Sequence, residues 1–235
     1  MTSVTFSISR VNRLRNAAAR ARAPAEPTEP TEPDDPWLEP EERDGWSVSD
    51  CDPNDLIGVF KALRLKAGFA VHAYEFRSGG NGNGIIWAAP ADAPLLAPED
   101  CPKLDDVFLG PPKPPGALPL MEAIKGDGSP WSYLSASILA REATEFGARW
   151  HGCVWSAQKI VTKPPREAGG HEPSHAPDSR DDAPIGGWFW HGPVPRTWSP
   201  AYSESGATRR IVLYVRNPVG RETIYRATDT YRGDS

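Results

Sequence analysis

The chain has 235 residues and a net charge of −5, which leaves room for one hydrophobic core of ordinary size. No run approaches the eighteen or more consecutive apolar residues of a membrane-spanning helix, the longest being short pieces such as Ile211 to Val215 and Ile85 to Ala89. Cys51, Cys101 and Cys153 are odd in number and form no CxxC pair, which argues against a disulfide framework and points to a reducing cytoplasm.

Charge is spread unevenly. Residues 1–23 carry five arginines and no acid, residues 24–56 carry twelve acids against Arg43 alone, and the remainder is nearly balanced, so the folded part advertises no polyanion-binding surface. Val4, Phe6 and Ile8 alternate, and Val11, Leu14 and Ala18 recur at helical spacing among the arginines, a pattern compatible with a short basic amphipathic helix. Arginine and serine without acid also describe a transit peptide, which would make the protein organellar; a secretory signal is excluded because no apolar core follows the basic start. From Ala25 to Pro33 the chain repeats Glu-Pro-Thr and runs on into Asp34, Asp35, Glu39, Glu41 and Glu42, where proline denies helix and like charge denies collapse. Residues 1–46 are therefore expected to form a disordered arm, basic and then acidic, ahead of a single globular domain over 47–235.

Asp52-Pro53-Asn54-Asp55 has a capping acid, a proline for the first helical position and an acid for the helix dipole, and predicts a helix over 53–67 stopped at Gly68. Phe69 to Arg77 and Ile85 to Ala89 flank the glycine-rich 78–84 and predict a β-hairpin. Nine prolines between 90 and 119 demand an extended surface crossing, in which Pro111 and Pro114 match a PxxP spacing without a supporting arginine register. A short helix is expected near 120–125, and Ser129-Pro130 opens a longer one over 130–149. Strands are expected at 153–161, 188–190, 211–216 and 223–231. The order implies an α+β fold, with an antiparallel or mixed sheet of about five to six strands and two main helices on one face.

His171-Glu-Pro-Ser-His175 spells the zinc-peptidase HExxH, but Pro173 sits inside it and glycines precede it. A helix putting both imidazoles on one face would cost on the order of 3 kcal/mol there, so no metal site is assigned. The glycine run at 79–84 fits neither a P-loop nor GxGxxG and is followed by a strand rather than a helix, so no phosphate-binding cofactor is expected. Trp188, Trp190 and His191 lie on a short segment with Phe189 on the opposite face, and one of these faces is a candidate binding surface. In the helix after Ser129, Glu142, Glu145 and Arg149 fall in the same stripe as Trp131, Leu134, Ile138, Leu139 and Phe146. Carboxylates so placed need partners, for which Arg149 and His151 are the nearest in sequence.

These residues support a non-catalytic cytoplasmic module that binds another protein through an aromatic surface and its charged arm. The alternative is a small-molecule hydrolase or lyase with Glu142 and His151 as acid and base in an aromatic pocket.

Overall fold

Residues 2–22 belong to the fold. Strand β1 (Thr2–Thr5) pairs antiparallel with a strand near the C-terminus, Val4 opposite Tyr202, and helix α1 (Ile8–Ala21) buries Val11 and Ala18 completely. This computed structural model describes residues 2–22, 45–78, 81–102, 110–149, 153–165, 191–219 and 222–232. The expected arm is thus corrected over 2–22, and the domain boundary at 46 with it; the acidic stretch 23–44 lies outside the described residues. The amphipathic stripe was visible in the sequence, but not the surface it covers.

The remaining elements are β2 (Gly45–Val48), α2 (Pro53–Val59), β3 (Leu63–Leu65), β4 (Phe69–Ser78), β5 (Asn81–Pro90), β6 (Leu118–Pro119), α3 (Leu120–Ala123), β7 (Ile124–Gly126) and α4 (Pro130–Ala143), then α5 (Val154–Ala157), β8 (Lys159–Ile160), β9 (Ala201–Ser205), β10 (Thr208–Asn217) and β11 (Thr223–Arg232). The fold is α+β, and all strand pairs among the described residues are antiparallel. In place of one sheet there are two principal ones. The first runs β1-β9-β10-β11, with β8 also on β10; the second runs β2-β4-β5-β6; and β3 and β7 form a small ribbon.

The caps are where the residue types put them. Asp52 accepts from the Asn54 N–H at 2.8 Å and Ser129 from the Ser132 N–H at 3.2 Å. Helix ends differ from expectation. Helix α2 stops at Val59, just past Gly58, and Leu63–Leu65 instead pairs with Ile124–Gly126. Helix α4 stops at Ala143, and the chain turns away through Gly147 at φ +64°, where a Cβ would lie 2.6 Å from Glu75 Cγ. The strand expected at 153–161 shrinks to Lys159–Ile160, because a turn of helix takes up Val154–Ala157.

Ile211, Leu213 and Val215 project from one face of the first sheet into a core shared with Leu134, Ile138 and Leu139 of α4 and with Val11 and Ala18 of α1. A second core under the other sheet holds Tyr74, Trp87, Ala89, Cys101 and Ala117. It anchors the proline-rich crossing through two aromatic polar tips: Trp87 Nε1 donates to the Pro112 carbonyl at 2.7 Å and Tyr74 Oη to that of Leu96 at 3.0 Å. The PxxP segment therefore packs inward at Pro112 and Pro114, which are buried.

Candidate functional site

The last turn of helix α4 and the turn after it deliver Glu142 and Glu145 into the interior, where they are 1% and 2% exposed, and the N-terminal helix and its C-cap bring the cations. Arg22, just past the end of α1 and 6% exposed, donates from Nε to Glu142 at 2.9 Å, from Nη2 to Glu145 at 2.8 Å and from Nη1 to the Glu145 carbonyl at 2.9 Å. Glu142 Oε1 takes the Trp155 indole N–H at 2.9 Å. Glu145 accepts the backbone N–H of Trp155 and of Ser156 and the Ser156 hydroxyl, which holds this segment as a turn rather than a strand. Arg15 lies 3.9 Å over the Trp155 ring, donates to the carbonyls of Trp155 and Gln158, and has Nε 3.9 Å from Glu142. Burial lowers its affinity for the proton, and the two carboxylates oppose that shift.

Two cations thus face two anions, and every carboxylate oxygen meets a donor, which is the condition under which buried charge is tolerated. Glu142 does have an arginine partner, but from 120 residues away rather than two helical turns on: Arg149 is exposed and its backbone bridges to Gly82 instead.

Beside this cluster lies a cleft of about 550 Å³ lined by Phe76, Asn81, Gly82 and Asn83 of the β4–β5 hairpin, Arg141, Thr144 and Glu145 at the end of α4, Val154, Trp155 and Gln158, and Tyr225 of β11. Its charges are neutralised from within. Arg141 grips Asp229 with two bonds of 2.7 and 3.1 Å, and the Ser137 hydroxyl also donates to Asp229. Tyr225 Oη donates to Gln158 Oε1 at 2.6 Å. The exception is Asn81, whose carboxamide oxygen is buried in the wall with no hydrogen-bond partner among the described residues.

Glu145 therefore lines the cleft while Glu142 sits behind its wall. His151, Trp188 and Trp190 lie outside the described residues, as do His171 and His175; His191 is exposed and away from the cleft. Among the described residues no group of three or more His, Cys, Asp or Glu is placed to share a metal, and no helix is long and apolar enough to cross a membrane. Sequence reasoning missed Arg15, Arg22, Phe76, Asn81, Trp155 and Tyr225. For the arginines a signal existed: a segment with five cations and no acid, and a helix with unpaired acids in its apolar stripe, are complementary. No family model, curated protein or solved structure matches the chain.

Proposed function

We propose that the chain is a non-catalytic module that binds another protein, with the cleft between the two sheets as its recognition site. The observation that carries this reading is the complete commitment of Glu142 and Glu145 to Arg22, Arg15, Trp155 and Ser156. A general acid or base must reach its substrate, and these buried carboxylates are turned toward Arg22, Trp155 and Ser156 instead. What faces the cleft is the equipment of recognition: apolar surface from Phe76, Val154, Trp155 and Tyr225, and amides from Asn81, Asn83 and Gln158. The basic segment contributes by bracing the site, since Arg15 and Arg22 are spent inside it. The three free cysteines fit a reducing compartment.

Side-chain signals of Trp155, Asn81, Asn83 and Gln158, followed in ¹⁵N–¹H correlation spectra during titration with a set of unstructured peptides, test the proposal. Saturable shifts at these groups are expected. Turnover of a small-molecule substrate that vanishes in Glu145→Gln, with the fold unchanged, would instead establish the hydrolase or lyase alternative.

A further inference from the structure

We propose that β11, together with the mouth of the cleft, is a strand-addition site taken by an extended acidic segment of the partner protein. The inference rests on the binding-module reading and names the partner's chemistry.

Among the described residues β11 has a strand neighbour on one side only. It pairs with β10 through ten consecutive positions, from Thr223 opposite Asn217 to Arg232 opposite Thr208, without a bulge. In an antiparallel pair every second residue turns its N–H and C=O away from the neighbour, so a strand this long presents a row of unused donors and acceptors. Natural edges are blunted by shortness, proline, bulges, inward-pointing charge or charged side chains, lysine above all; β11 carries two arginines outward and an inward Asp229 already neutralised by Arg141. The opposite edge, β1, is four residues long; β11 has ten residues and contains no proline, glycine or lysine.

Alternation sorts the side chains of β11 by chemistry. Tyr225, Ala227, Asp229 and Tyr231 face α4: Ala227 is buried opposite Leu213, Asp229 holds Arg141, and Tyr231 donates to the Tyr133 carbonyl at 3.1 Å. On the other face Arg226, Thr228, Thr230 and Arg232 are exposed, with Arg210 of β10 exposed across from Thr230. The acids of β11 and the neighbouring strands and turn are occupied elsewhere, Asp229 with Arg141 on the α4 side, Glu204 with Arg209 and Glu222 with Arg216. Among the described residues Arg210, Arg226 and Arg232 have no acidic partner.

A peptide strand laid along β11 satisfies both features. Its backbone completes the ladder. Its outward side chains lie beside Arg226, Thr228, Thr230 and Arg232, which favours acids six residues apart, and the side chain beside Tyr225 on the other face enters the cleft mouth. A nucleic-acid backbone has no row of N–H and C=O groups to match the edge. A second copy would bring its own outward Arg226 and Arg232 to the same face rather than acids to answer them, which makes it the poorer occupant in charge.

A fluorescein-labelled decapeptide alternating glutamate and valine, titrated against the full chain by anisotropy and ¹⁵N–¹H spectra, tests this. Saturable binding should shift the amides of 224–232 and the Trp155 indole. Affinity should fall tenfold or more when alternate peptide amides are N-methylated in both registers, and again with R226E/R232E, whose exposed sites leave the fold intact. That variant should now prefer the lysine–valine peptide. Absence of saturable binding at millimolar peptide, or indifference to N-methylation, overturns the proposal, as does a concentration-dependent dimer abolished by R226E/R232E. Shifts in the cleft without shifts along β11 overturn strand addition and leave the cleft reading standing; shifts along β11 with none at Trp155, Asn81 or Gln158 defeat the cleft reading itself.

Discussion

In the ionic cluster behind the cleft, every oxygen of Glu142 and Glu145 meets a donor, whereas on the cleft wall the Asn81 oxygen is buried with none. The two regions share Glu145 and Trp155, so the difference is not one of depth. The contrast holds for the carboxylates alone, since Arg15 Nε in the cluster and Ser135 Oγ in the core are also buried without a partner among the described residues, and such a group costs about 1–3 kcal/mol. Asn81 differs from these in lining the cleft, which is why the proposed recognition site puts it to the test.

The comparison breaks most visibly at Arg22. Arg22→Ala leaves two buried carboxylates facing one distant arginine, and should cost about 3–5 kcal/mol in denaturant unfolding. Removal of residues 1–22 should do at least as much damage, since it also strips β1 and the α1 face from the core; a truncated chain that melts like the full one would return the N-terminus to the status of a free arm. Next come the carboxylates. Glu145→Gln and Glu142→Gln should each lose about 1–3 kcal/mol, with Glu145 the more costly because it accepts from Arg22, two backbone N–H groups and a hydroxyl. Equal or higher stability in either variant would reassign these acids to function.

On the wall the sign reverses. Asn81→Leu, which removes the orphaned amide at similar size, should leave thermal stability unchanged or raise it by up to about 1 kcal/mol, while weakening peptide binding. A large loss of stability would mean that Asn81 is structural after all. The smallest effect belongs to His72, buried in β4 opposite Trp87 with Nδ1 unpartnered among the described residues. Burial holds its imidazole below the usual range, so the unfolded chain binds the proton more tightly than the folded one. Stability is then full above about pH 6.5 and declines as pH falls through that value toward the folded pKa. His72→Gln should flatten that acid-side slope in melts between about pH 7 and pH 5.

Local chemistry was legible in the sequence: the Asp52 and Ser129 caps, the β4–β5 and β10–β11 hairpins, the shortness of the helix before the β4 strand excepted, and the intrusion of Glu142 and Glu145 into an apolar stripe. Each is written in residues a few positions apart, where propensity and periodicity act. Tertiary structure alone decided who answers whom. The cations for α4 come from a segment more than a hundred residues earlier, because α1 packs across the same sheet face and its last turn reaches the end of α4. The cleft likewise exists only where the β4–β5 hairpin, α4 and β11 converge, and Asn81 became an unmet acceptor through that convergence. Hydrogen bonds and ion pairs are satisfied by proximity in space, and a linear pattern records which groups need partners without recording which partners the fold supplies.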